Sequence, residues 1–446
     1  MPLTGLQIYK LLPQTNCKEC GSPTCLAFAM KLAAKQAELT ACPYVSETSK
    51  SQLESASSPP IRLITLAGDG TKLEVGNETV MFRHEKTFYH KPGIFIRLKD
   101  SQDLESIRAV AATASAYSVD YVGIKLGVDG FAVESVSGDR ARFAAAVGAV
   151  AAAKNPLILM AADPAVLAEG AKVVAGTRPL LYAADETNWQ QMAEVAKSTK
   201  APLAVKAESL EKLADLTEKL QKAGVEDLVL DPLARGSSAS LTILTQIRRL
   251  ALKKNYRPLG YPVMVFPGEA EGVDEAVMAA QQIAKYAGFV VINSFDPAVL
   301  YPLLVLRENL YTDPQKPIQV QPGLFEINAP TADAPVMVTT NFSITYFAVN
   351  NEVEGAGWPA WLIVTDADGM SVLTAWAAGK LDSDRIVKAI KACSIESKIN
   401  HKRLIIPGQV AILSGELEEG LEGWEIMVGP KEAVDIPAYL KAAWKH

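Results

Sequence analysis

Long hydrophobic runs are missing from this chain. Its apolar stretches, such as AAVGAVAAA before Lys154, fall well short of a membrane span, which takes about 20 residues. No charged-then-apolar leader opens the sequence, so a soluble, cytoplasmic protein is expected. An excess of basic residues is missing too: the formal net charge is −6, which gives no sign of a nucleic-acid surface. Cysteine is scarce, with five in 446 residues. A secreted disulfide scaffold would be shorter and would spread its cysteines across the fold. A chain this long also exceeds one ordinary core, so two or three domains are expected.

What cysteine there is lies crowded at one end. Cys17, Cys20, Cys25 and Cys42 follow the spacing C-x2-C-x4-C-x16-C-P, with Pro43 last, while Cys393 stands alone. Clustering in a cytosolic chain points to metal ligation. An iron–sulfur cluster needs four thiolates, commonly with two or three from one loop, and a proline after the last cysteine is a feature of ferredoxin runs. Gly21, Ser22 and Pro23 supply turn chemistry. The long gap is bridged by a helix predicted over Leu26–Lys35, rising about 15 Å, and a return from Gln36 to Ala41 that spans roughly 20 Å if extended. Tetrahedral zinc and free thiols compete with the cluster. Zinc ribbons usually pair two C-x2-C knuckles, and only one such pair is present. Cys393, in KAIKACSI, reads as a small core residue.

A Ser-rich, Pro-terminated stretch, residues 46–60, reads as a flexible linker after a cluster domain of residues 1–45. Residues 61–321 then repeat one pattern. A short hairpin or cap (IRLITL, TKLEVGNETVMFR) precedes eight apolar runs: IFIRLKD, YVGIKL, PLILMA, PLLYAA, PLAVKA, DLVLDP, PVMVFPG and FVVINS. Helix-like segments alternate with them, which predicts a parallel (β/α)8 TIM barrel. Catalytic groups of such a barrel would follow its strands, where Asp100, Lys125, Asp163, Asp185, Lys206, Asp231 and Asn293 stand. None is histidine, and polar strand ends are also ordinary helix caps. A scaffold or docking barrel is therefore favoured over a catalytic one.

From residue 322 to 446 the pattern restarts as a doubly wound, flavodoxin-like α/β domain, whose ligand crevice should lie at the carboxyl ends of its strands. TTNFS, DGMSVLT and PGQVAILSGE are rich in small and hydroxyl residues there. Such loops let a flat ligand or phosphate approach the backbone. No G-x-G-x-x-G fingerprint opens the domain, which weighs against a nucleotide.

The NCKECGSPTCLAFA…ACPY head, the (β/α)8 middle and the TDADGMSVLTAWAAGKL…PGQVAILSGELEEGLEGWEIMVGP tail together resemble the corrinoid/iron–sulfur protein family, in its large (gamma) subunit. That family carries methyl groups in the reductive acetyl-CoA (Wood–Ljungdahl) pathway of anaerobes. The resemblance implies a [4Fe–4S] cluster on Cys17, Cys20, Cys25 and Cys42, and a corrinoid on the C-terminal domain. It implies a methyl carrier with no active site of its own. A methyltransferase would load the corrinoid cobalt from methyltetrahydrofolate, and acetyl-CoA synthase would receive the methyl. A small subunit would complete a heterodimer, and a low-potential electron donor would feed the cluster. Many corrinoid proteins hold cobalt through a D-x-H-x-x-G histidine. That motif is missing, and neither His401 nor His446 has its context, so a base-off, His-off corrinoid is expected. Thr374 is the residue expected near the lower face. Thr340, Tyr346, Met370, Ser371, Val372 and Leu373 would meet the macrocycle or its tail, with Gly408, Ser414 and Gly415 beside them. The alternatives are an iron–sulfur redox enzyme and a pterin-dependent methyltransferase whose active site is in the barrel.

Overall fold

The computed structural model describes residues 5–33, 36–46, 49–50, 53, 59–121, 124–268, 272–313 and 318–444. Most of the expected linker, at 47–48, 51–52 and 54–58, lies outside the described residues, as does His446. The chain divides into two compact units, one of residues 1–117 and 127–311, the other of residues 118–126 and 312–446.

The first unit opens with two short helices, Gly5–Leu11 and Cys25–Ala33, and a 3-10 turn at Leu39–Ala41. The return toward Cys42 is thus partly wound, where the sequence suggested an extended path. Ile8, Leu12, Phe28, Ala29 and Val45 pack with Cys25 and Cys42 into one small core, with Cys20 against its edge.

A β hairpin follows, β1 (Ile64–Ala67) with β2 (Lys72–Val75), antiparallel as expected. Then come eight parallel strands that close a barrel: β3 (Gly93–Lys99), β6 (Gly130–Glu134), β7 (Leu157–Met160), β8 (Leu180–Ala184), β9 (Leu203–Lys206), β10 (Leu228–Asp231), β11 (Val263–Val265) and β12 (Ala287–Ile292). Ile64, Leu66 and Val75 of the hairpin pack into the same core as Phe95, Met264 and Phe289 of the barrel, so the cap seals its interior. Seven of the eight barrel strands lie where the sequence suggested. The exception is YVGIKL. Val119–Tyr121 (β4) and Ile124–Leu126 (β5) form a half-exposed antiparallel hairpin, and the barrel strand is GFAVE, which is buried almost throughout. Lys125 therefore stands on that hairpin, paired with Asp120 at 3.2 Å.

The hairpin belongs to the second unit, where Tyr121 packs against the core. That unit holds a five-stranded sheet from β13 (Gly323–Ile327), β14 (Val336–Thr340), β15 (Ala360–Thr365), β16 (Arg403–Ile406) and β17 (Glu425–Val428), in the order β13-β15-β14-β16-β17. Only β13, which the sequence reading missed, runs antiparallel. Val336, Val338, Ile363, Leu404 and Ile406 face one core, and Met337, Leu362, Val364 and Ile405 face another. This alternation is what helices on both faces of a sheet require. Because β15 and β16 lie on opposite sides of β14, the strand order reverses beside β14, where a crevice opens at the carboxyl ends.

A cysteine head and a cleft at the strand switch point

Each candidate site follows from local structure. In the head, Gln14, Asn16, Lys18 and Gly21 all have positive φ. These left-handed residues curl the C-x2-C loop, which the Gly21 N–H closes onto the Lys18 carbonyl at 2.9 Å. Asn16 Oδ1 accepts the Cys25 backbone N–H at 2.8 Å, and the Asn16 N–H donates to Cys25 Sγ at 3.4 Å. Tyr44 O–H donates to Glu19 Oε1 at 2.9 Å, which ties the segment after Cys42 to the loop between Cys17 and Cys20. Cys25 and Cys42 are buried, Cys20 is half-buried and Cys17 is exposed, and all four are free thiols. Among the described residues no three Cys, His, Asp or Glu side chains converge as on a single metal ion. A cuboidal cluster binds each thiolate to a different iron, so that finding bears on one-ion sites. The donor set suits the cluster: four sulfurs on one loop-and-helix head, with a backbone N–H already directed at one of them.

In the second unit a cleft of about 450 Å³ opens at the switch point, within the usual range for small-molecule sites. Thr339 of β14, Ile406 of β16 and Pro407 just after it line its strand side. Thr339 is 2% exposed and its hydroxyl has no hydrogen-bond partner among the described residues. The helix after β14, Ser343–Gly355, contributes Ile344, Thr345, Ala348 and Val349, and Gln409 and the Gly429–Ala433 segment close the other side.

Ser371, Val372, Leu373 and Thr374 also line this cleft. Ser371 precedes the helix Val372–Ala377, and its hydroxyl lies 3.0 Å from that of Thr374. Their loop is held by Asn341, which is buried. Its Oδ1 accepts the Ala367 and Gly369 N–H groups at 2.9 and 3.0 Å, and its Nδ2 donates to Gln319 and Asp366 at 3.3 Å. Gly369 sits at φ 70 against Gln319, where a Cβ would lie 2.6 Å from Nε2.

The other residues singled out from sequence stand elsewhere. Thr340 is fully buried, its hydroxyl unpartnered among the described residues, and Tyr346 packs on Phe325 with ring centroids 5.0 Å apart. Met370 packs against a core. A Cβ on Gly408 would meet the Gly429 carbonyl oxygen at 2.4 Å, so this glycine lets the cleft-lining segment approach. Ser414 and Gly415 begin the helix Ser414–Gly420 and are outside the cleft lining. Sequence reading missed Asn341 and Gly429–Ala433. Asn341 lay in a loop already singled out, TTNFS, but nothing in its type distinguishes a loop brace from a ligand contact.

The strand-end polar groups of the barrel hold one another. Asp231 is fully buried and accepts Tyr182 O–H at 2.7 Å and both Arg235 terminal nitrogens at 2.9 and 2.7 Å. Burial, then the Asp231 charge, pushes the Tyr182 phenol far up. Arg235 lies over Phe266 at 4.6 Å. Lys206 faces Asp185 at 3.5 Å, and Asp163 caps the helix Pro164–Val173. Asn293 donates to the Gly268 carbonyl at 2.8 Å. Among the described residues no helix is long and apolar enough to cross a membrane.

Residues 64–440 match the family model described as CO dehydrogenase/acetyl-CoA synthase delta subunit, and residues 12–44 match one described as "Putative Fe-S cluster". The corrinoid/iron-sulfur protein large subunit of Moorella thermoacetica is 46% identical over 99% of both chains. The acetyl-CoA decarbonylase/synthase complex subunit gamma of Archaeoglobus fulgidus is 35% identical over 98% of both. Among solved structures, a dihydropteroate synthase from Thermus thermophilus covers 55% of this chain and 100% of its own, at 17% identity and a TM-score of 0.39. The larger family model is named for a delta subunit, whereas the full-length relatives are large and gamma subunits. Their matches span nearly the whole chain, the cysteine head included, and so decide between the two descriptions. The chain belongs to the family of corrinoid/iron–sulfur protein large subunits and acetyl-CoA decarbonylase/synthase gamma subunits of the acetyl-CoA pathway.

Proposed function

We propose that this chain is a methyl carrier that bears a [4Fe–4S] cluster on Cys17, Cys20, Cys25 and Cys42 and a base-off corrinoid over the cleft of the C-terminal unit. When bound, the corrinoid supplies a Co(I) nucleophile for methyl transfer, and the cluster supplies the low-potential electron that restores Co(I) from Co(II). The domains follow as a cluster head to residue 45, a linker to 60, the barrel to 311 without residues 118–126, and a doubly wound, flavodoxin-like corrinoid domain of residues 118–126 and 312–446.

The observation that carries the reading is the cleft. It opens at the switch point, where a doubly wound sheet takes its ligands. It also holds a buried hydroxyl, that of Thr339, which nothing among the described residues satisfies. Its rim is apolar, with Ile344 68% and Leu373 52% exposed, as suits a large flat ligand partly covered by a partner. Ser371 to Thr374 line it, with Thr374 the candidate for the lower face. A histidine-free lower face agrees with how His401 is used. Its Nε2 meets the Ala334 carbonyl at 3.0 Å and its Nδ1 accepts the Arg403 N–H at 3.2 Å, which occupies both ring nitrogens.

A carrier leaves the barrel as scaffold, and the mutual pairing of Asp231, Tyr182 and Arg235 supports that role. The partners in this reading are a small subunit, a methyltetrahydrofolate methyltransferase, acetyl-CoA synthase and a low-potential electron donor. Its test is anaerobic methyl transfer from methyltetrahydrofolate to the complex of this chain with its small subunit. Both wild type and Cys42→Ser should accept methyl from a pre-reduced start. After oxidation to Co(II), only wild type should recover with a reduced donor protein. Equal recovery in the variant would contradict the role given to the head, and methyl transfer by this chain without a methyltransferase would place an active site in it.

A further inference from the structure

We propose that Asn16 is the positioning residue of the cysteine head, holding Cys25 in its ligating orientation and setting how readily the bound cluster accepts an electron. The inference rests on the reading of the head as a cluster domain.

Asn16 stands at φ 50, in the left-handed region that Asn enters more readily than most residues. From there it reaches Cys25, nine positions on, in two ways. Its Oδ1 accepts the Cys25 backbone N–H at 2.8 Å, and its own N–H donates to Cys25 Sγ at 3.4 Å.

The first bond completes the start of the helix Cys25–Ala33, whose opening N–H groups have no partner inside the helix. Thr24 Oγ1 takes the Ala27 N–H at 3.1 Å, and Asn16 takes that of Cys25. With its backbone fixed at a helix start and the residue 6% exposed in the head core, Cys25 has little freedom to turn.

The second bond acts on the sulfur itself. Hydrogen bonds to the sulfurs are among the factors that set a cluster's reduction potential. A donor favours the reduced cluster, whose added electron makes its sulfurs more negative, and so raises the potential. Asn16 therefore joins two roles in one residue: the side chain orients the ligand, and the left-handed backbone presents the N–H that tunes it.

Two substitutions separate the roles. Asn16→Gly removes Oδ1 but keeps the left-handed backbone and its donor. Asn16→Ala removes Oδ1 and disfavours that backbone as well. The full-length wild type and both variants are reconstituted anaerobically with iron and sulfide. Iron release to a chelator and the cluster midpoint potential, followed by electron paramagnetic resonance, are then measured.

Both variants should release iron about 10- to 100-fold faster than wild type, the usual effect of losing an outer-shell partner. The Gly variant should keep the wild-type potential, and the Ala variant should shift to a more negative one. Release rates equal to wild type in both variants, or a potential that moves equally in both or in neither, would overturn the assignment. If the Ala variant fails to assemble, the Gly variant decides: an unchanged release rate, or an altered potential, counts against it. A wild type that takes up zinc in place of iron would instead refute the cluster reading, and the proposal with it.

Discussion

Thr339 buries a hydroxyl that bonds to nothing among the described residues, at the strand side of a cleft. An unsatisfied buried polar group costs about 1–3 kcal/mol, whereas an apolar group of the same shape does not. Thr339→Val should therefore leave the cofactor-free protein as stable as wild type or more so, by thermal unfolding. The same variant should lose corrinoid faster on gel filtration, because the ligand that uses the hydroxyl loses its partner. A cofactor-free protein clearly destabilised by the change, with corrinoid retained, would make Thr339 a packing residue. The residue scale also shows where sequence reading stopped. Ser371 to Thr374 were legible because a small, hydroxyl-rich loop opens a helix. The packing of Tyr346 on Phe325 is not legible, because its helix, SITYFAVNNEVEG, mixes apolar and polar residues without one marked face.

At the scale of elements, barrel strands are held by polar braces at their ends. Asp100, just after β3, accepts Ser135 and Ser137 hydroxyls at 3.0 and 2.6 Å and Val136 and Ser137 N–H groups at 2.8 and 3.0 Å. Burial alone would raise its carboxyl pKa, but these bonds outweigh burial and hold it below the ordinary value. A depressed carboxyl pKa adds stability that is fully present above the unfolded-state value of about 3.9 and is lost as pH falls through the folded-state value. Asp100→Asn should cost about 2 kcal/mol at neutral pH. Its unfolding curve should also fall less steeply than wild type below about pH 4. An acid limb identical to wild type would mean that this brace is not what titrates. Elements were also where one expectation failed. YVGIKL and GFAVE are both short and apolar, but a parallel barrel strand is buried on both faces. The alternating polar positions of VDYVGIKL suit a half-exposed hairpin, and GFAVE has the unbroken burial. The β13 strand went unseen because GLFEI is short, half-exposed and antiparallel at an edge.

At the scale of the whole molecule, the chain joins two kinds of site that share no residues: four thiols in the first 45 positions, and a cleft built from residues 337 to 439. Continuous apolar strands and helical spacing made the barrel and the second sheet legible, and the cysteine spacing made the head legible. The cleft's far wall was not, because Gly429–Ala433 reaches it through a backbone approach at Gly408 that leaves no pattern in sequence. The central proposal is that one chain carries both a four-thiolate iron–sulfur cluster and a corrinoid without a histidine ligand to cobalt. The most direct measurement is the visible and electron paramagnetic resonance spectrum of the chain purified anaerobically with its small subunit. Broad iron–sulfur absorption together with corrinoid bands, and a Co(II) signal without nitrogen superhyperfine splitting, are expected. Iron–sulfur absorption with no cobalt, or a Co(II) signal split by an axial nitrogen, would contradict it.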